Sequence, residues 1–231
     1  MKNKTLTIST TKQETILGWI YLAFQLLFLP GLLTWVNAQL GHALSEAELN
    51  FTFYTVNFIA VLLIFNKYLS RCFTQLLQHP AYFCQAVILG FVAYYACSWC
   101  MNKVFDWIAP GYSNANDASI AALSRGNFFL MAIGTVVLVP PAEECFFRGL
   151  IFRNLYGVSR VAAYIISMMA FSFIHIIDYI QSYTLWQLIL AFLQYLPAGL
   201  CLAWSYAKSD TIFAPIVIHA LVNATAIGFL R

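Results

Sequence analysis

Apolar residues in this chain come in long blocks separated by short polar intervals, near residues 16–36, 51–66, 82–101, 128–150, 161–179, 187–206 and 211–230. A helix needs about 20 predominantly apolar residues to cross a hydrocarbon core, so the pattern predicts an all-α fold, a polytopic membrane bundle of about seven transmembrane helices. The intervals are too short for a separate soluble domain, and residues 1–231 read as one integral membrane domain. The longest polar interval, Lys103 to Gly126, holds Asn114-Ala115-Asn116-Asp117 and a short predicted helix around Ala118 to Leu123. It divides accessory N-terminal helices, residues 1–126, from a functional core, residues 127–231, whose spans carry polar groups.

Composition agrees with a lipid environment: 61% of residues are hydrophobic and only 9% charged. The net charge of +3 is distributed as a topology signal, because basic residues concentrate in the loops that stay in the cytoplasm. Lys2, Lys4, Lys12, Lys67, Arg71, Arg153, Arg160 and Lys208 fall on one side of a seven-span arrangement, and Lys103, Arg125 and Arg231 on the other. The N-terminus is thereby expected in the cytoplasm, and no nucleic-acid partner is expected.

The first block also invites a signal-peptide reading, with Val36-Asn37-Ala38 as a small-residue cleavage site. Its apolar run exceeds the roughly 7 to 15 residues of a signal core, so a retained helix is expected. Cys97-Ser98-Trp99-Cys100 lacks the second pair or spaced histidine of a zinc site, and the six cysteines read as small hydrophobes. Asn50-Phe51-Thr52 abuts a span and Asn223-Ala224-Thr225 lies within one, which removes both as glycosylation sites.

Ionisable residues at membrane depth are costly and usually functional, and Pro140-Pro141-Ala142-Glu143-Glu144-Cys145-Phe146-Phe147-Arg148-Gly149 places three of them inside one apolar block. Glu144 and Arg148, four apart on a helical face, form a favourable pair. Glu143 is rotated by about 100° from that face and is free to act as a reactive carboxylate. The two prolines predict a helix break, with a restart at Pro141 that would put both glutamates at a new N-terminus and its favourable dipole. Two further apolar helices carry Phe171-Ser172-Phe173-Ile174-His175 and His219-Ala220-Leu221-Val222-Asn223, and the latter offers two hydrogen-bonding groups on one face. Each histidine alone reads as well as a group satisfied by a backbone carbonyl, and Glu144 with Arg148 as a lock between helices. The full set, converging on one cavity, reads as a site.

The ordered patterns E-E-x-x-x-R (Glu143, Glu144, Arg148), F-x-x-x-H (Phe171, His175) and H-x-x-x-N (His219, Asn223) resemble the CPBP family of intramembrane proteases, which includes the Ras-converting CAAX prenyl endopeptidases and the bacterial Abi and bacteriocin-immunity proteins. The resemblance covers about residues 127–230. It implies an intramembrane endopeptidase in which Glu143 and His175 activate water, His219 and Asn223 polarise the scissile carbonyl, and Glu144 and Arg148 support them. It also implies a membrane-anchored or peptide substrate held in the bilayer, with the plasma membrane of a bacterium as the expected location. The family has been called a metalloprotease, and Glu143, His175 and His219 are candidate zinc ligands. No H-E-x-x-H is present, and metal-independent hydrolysis without a cofactor is expected.

Two other functions compete. A non-catalytic bacteriocin self-immunity or peptide-binding membrane protein would use the same pocket, although binding does not require a water-activating pair. A proton-coupled transporter would use buried Glu and His, but only one half of the chain carries a double proline, without the paired broken helices of inverted repeats.

Overall fold

The computed structural model describes residues 6–228, and every regular element among them is helical. Lys2, Lys4, Arg231 and the end of the seventh apolar block lie outside the described residues. In chain order the α-helices are α1 (Lys12–Leu27), α2 (Leu29–Gln39), α3 (Glu46–Ile64), α4 (Asn66–Gln78), α5 (Pro80–Ile108), α6 (Ala115–Gly126), α7 (Phe128–Ile133), α8 (Val139–Glu144), α9 (Arg153–Tyr156), α10 (Arg160–Ile174), α11 (Leu185–Ser209) and α12 (Phe213–Gly228). Helices α7, α8 and α9 are joined by π-helical turns at Gly134–Leu138 and Cys145–Phe152 into one 29-residue span, Phe128–Tyr156.

The count of seven spans is not confirmed among the described residues. Four helical stretches are long and apolar enough to cross a membrane: α3, α5, Phe128–Tyr156 and α11. The pair α1 and α2, bent by 52° at Phe28, makes a fifth if it is one span. The remaining blocks form α10 and α12, apolar helices of 15 and 16 described residues, and at 1.5 Å per residue each described stretch covers about 23 Å of a core about 30 Å thick. Helix α4 occupies a polar interval between apolar blocks, where the sequence predicts a loop. Its buried Tyr68 and Cys72, four residues apart, carry the amphipathic spacing that marks it.

Starts follow local chemistry. Thr11, Ser45 and Thr184 close capping boxes with Glu14, Glu48 and Gln187 at the entries to α1, α3 and α11. Asn114, Asn127 and Ser159 cap α6, α7 and α10 through their side chains. Helix α11 lies against α5, α10 and α12. Where it meets α10 the approach is close: a Cβ on Gly199 would stand 3.0 Å from the Met168 Cα, so the two helices would have to give way to hold one.

One end of the bundle gathers the N-terminal segment with α4, α9 and the turn that follows α11. Arg153 donates to the carbonyls of Ile8 and Leu6 at 2.6 and 3.2 Å, Arg71 to that of Ser9 at 2.7 Å, and the Thr7 hydroxyl to Asp210 at 2.6 Å. Arg71 and Arg153, two of the basic residues that the charge pattern assigns to one side, therefore meet at one end of the molecule.

Candidate active site

The double proline does not break the helix. Val139 donates to the Gly134 carbonyl five residues back, which sets a π-helical phase just before the prolines. In that phase the Thr135 carbonyl would look to residue 140, and Pro140 has no N–H to give. The Asn223 side-chain amide donates to it instead, at 2.8 Å. Since the helix runs on through Pro140 and Pro141, Glu143 and Glu144 sit at the entry to the second π-turn, not at a helix N-terminus. The expected help from a helix dipole is therefore missing, because these residues lie beyond the first turn where that dipole acts.

Widened turns let consecutive glutamates face the interior together. Glu144 is fully buried, and its Oε1 accepts from Arg148 Nη1 at 3.0 Å and from His219 Nδ1 at 2.9 Å. Arg148, also fully buried, donates from Nη2 to the Gly199 carbonyl at 3.0 Å, and its guanidinium lies 4.6 Å from the centre of the Phe171 ring. The expected pair is present, and Glu144 also holds His219.

Glu143 keeps a side chain 26% exposed, and its Oε2 stands 4.0 Å from Nε2 of both His175 and His219. That atom is buried and has no protein hydrogen-bond partner. His175 lies one residue beyond α10, at its C-cap, rather than within the helix, and its Nδ1 is 2.8 Å from the Phe171 carbonyl. A carbonyl only accepts, so Nδ1 carries a proton, and in the tautomer with one proton Nε2 presents its lone pair towards Glu143. The same logic at Glu144 puts a proton on Nδ1 of His219. Phe171 thus accounts for the spacing of its motif: its carbonyl fixes the tautomer of His175, and its ring packs on Arg148 and, edge-on, on His219 at 5.7 Å.

The structure brings Glu143, Glu144, Arg148, His175 and His219 to one place. Asn223 lies one turn beyond His219 on α12, with its amide nitrogen committed to the Thr135 carbonyl. Beside Glu143 opens a cavity of about 240 Å³ between α1, α3, the Ala142–Ile151 stretch and α10. Its walls are chiefly apolar, with Gln25, Tyr54 and Asn57 the polar exceptions contributed by the N-terminal half. No sequence motif marks Tyr54, yet Gly134 leaves space for its ring, where a Cβ would come within 2.7 Å. On the far side of His175 lies a second space of about 10 Å³, lined in part by Tyr112, Asn114 and Asn116. Burial, then the nearby Asp117 carboxylate, pushes the Tyr112 hydroxyl up to about 12, so it stays a neutral phenol.

Tetrahedral zinc with bonds of about 2.0–2.1 Å spaces its ligand atoms about 3.3 Å apart. The 4.0 Å separations around Glu143 are wider than that. Among the described residues no three His, Cys, Asp or Glu side chains are arranged to hold a metal ion. As placed, Glu143, His175 and His219 do not fit a zinc centre.

Residues 125–225 match the model of the Rce1-like family, type II CAAX prenyl endopeptidase. The Rce1-like segment contains Glu143, Glu144, Arg148, His175, His219 and Asn223, while α1 to α5 and the Asn114-Ala115-Asn116-Asp117 turn lie outside it. No curated protein and no solved structure matches the chain. The Rce1-like match supports protease activity in general, and the apolar helices with it support an integral membrane protein.

Proposed function

We propose that the protein is an intramembrane endopeptidase that hydrolyses a membrane-anchored or membrane-associated peptide by water activated at Glu143 and His175. The observation that carries this reading is the position of Glu143 Oε2, 4.0 Å from two histidine nitrogens on the wall of an apolar cavity. A water about 2.8 Å from both Glu143 and His175 Nε2 fits those distances. Glu143 accepts one of its protons as general base while the lone pair of His175 Nε2 takes a hydrogen bond from the other. The hydroxide oxygen bonds to the carbonyl carbon, and the carbonyl oxygen becomes the oxyanion.

His219 serves that oxyanion when its ring carries both protons, with the Glu144 carboxylate at Nδ1 balancing the charge and Nε2–H pointing into the site. Asn223 offers its remaining amide hydrogen as the second donor. Collapse breaks the C–N bond, and the proton held by Glu143 passes to the departing amine. No step requires a metal ion.

The apolar cavity and the prenyl endopeptidase family support a lipid-anchored peptide as substrate. The cluster of Arg71 and Arg153 at the face that holds the N-terminal segment supports a cytoplasmic N-terminus, here in a bacterial plasma membrane. The bilayer and the peptide are the partners; nucleic acid is not. Cleavage of a membrane-anchored peptide by the wild type and by Glu143→Ala in lipid nanodiscs tests the reading. Loss of a general base should lower the rate by about 10²- to 10⁴-fold, and equal cleavage by Glu143→Ala overturns it.

A further inference from the structure

We propose that Tyr195, anchored by the Asn114-Ala115-Asn116-Asp117 turn, is a positioning residue that holds the His175 ring against Glu143. The inference rests on the hydrolytic reading above and extends it to residues that lie outside the three motifs.

His175 has little else to fix it. It stands beyond the last residue of α10, where the helix no longer constrains the chain, and its one hydrogen bond, from Nδ1 to the Phe171 carbonyl, still allows the ring to swing about that contact. The Phe171 ring meets it at a tilt, 4.7 Å between centroids and 48° between planes. The Tyr195 ring covers one face, with centroids 4.2 Å apart and planes inclined by only 27°. An aromatic face at that distance restricts rotation of the imidazole.

Tyr195 is itself held at its far end. Its hydroxyl donates to Asp117 Oδ1 at 3.1 Å and accepts from Asn116 Nδ2 at 3.0 Å. Asn114, which caps α6 through its Oδ1, donates from Nδ2 to Gln194 on α11 at 3.0 Å. The polar interval between the two halves of the chain is therefore tied to α11 at two adjacent residues, and the second, Tyr195, touches His175. A turn that only joined α5 to α7 would have no need of this arrangement.

Nuclear magnetic resonance of protein carrying 15N-histidine tests the geometry without requiring activity, and the chain has only four histidines. The stacked ring should shield the His175 ring protons in the wild type and in Tyr195→Phe, and the shielding should vanish in Tyr195→Leu. In the peptide-cleavage assay Tyr195→Leu should lose about 10- to 100-fold in kcat, the cost of a misplaced catalytic group, with KM within about twofold. Tyr195→Phe and Asp117→Asn, which keep the ring but loosen its anchor, should fall between. If Tyr195→Leu fails to fold, Tyr195→Met, which fills the space without an aromatic face, decides by the same two readouts. Unchanged His175 resonances in Tyr195→Leu overturn the inference, as does full kcat alongside a displaced resonance. Absence of cleavage by the wild type would sink the hydrolytic reading while the resonance still decides whether Tyr195 positions the ring.

Discussion

Asn223 closes a gap that Pro140 opens: its amide donates at 2.8 Å to the Thr135 carbonyl, which the proline leaves without a backbone donor. The last motif of the chain is thereby tied to the first, and the helix carrying His219 is held in register with the helix carrying Glu143. Asn223→Ala should leave a buried carbonyl unpaired and lower stability by about 1–3 kcal/mol. In a Pro140→Ala background, where residue 140 regains its N–H, the same substitution should cost clearly less. Thermal unfolding of the four proteins in detergent measures the coupling; equal costs in both backgrounds would show that Asn223 does not act through this carbonyl.

Glu144 and Arg148 are both fully buried, and Glu144 also holds His219. Glu144→Ala strands the guanidinium and frees the histidine, so it should lower stability by about 3–5 kcal/mol and abolish cleavage together. Glu143→Gln removes a carboxylate with no protein hydrogen bond at Oε2, and should abolish cleavage with melting unchanged or raised. A larger drop in melting temperature for Glu143→Gln than for Glu144→Ala would reverse the division between reactive and supporting carboxylates.

Removal of metal ions should leave the rate unaltered, since the 4.0 Å spacings around Glu143 leave room for a bridging water and exceed those between zinc ligands. Cleavage is to be measured beside elemental analysis before and after exhaustive chelation. Loss of activity that only stoichiometric zinc restores contradicts the metal-free reaction.

Gly199 works at two scales. Its missing side chain admits the Met168 backbone, and its carbonyl receives Arg148. Gly199→Ala should force α10 and α11 apart at a cost of about 1–3 kcal/mol, moving His175 and Arg148 at once. Activity should fall more than for Gly157→Ala, at a glycine with open space around its Cβ position; equal effects would show that the close approach of α10 and α11 does not shape the site.

What the sequence determined by itself is local. The capping boxes at Thr11, Ser45 and Thr184, the apolar blocks and the pairing of Glu144 with Arg148 all depend on groups within about one helical turn of each other, and there spacing fixes the contact. The motif residues could be named for the same reason. Tertiary structure decided the rest, because composition does not say how long a helix continues or what meets it. Polar surface hid α4, and the short described stretches of α10 and α12 leave the count of seven spans unconfirmed. Pro140 and Pro141 read as a break because a proline removes a donor. Whether the chain parts or is bridged depends on a partner from elsewhere, here the amide of Asn223, 88 residues away from Thr135. The link from Glu144 to His219 and the stack of Tyr195 on His175 are likewise contacts between distant helices. Their geometry follows from how closely those helices pack, which no spacing along the chain encodes.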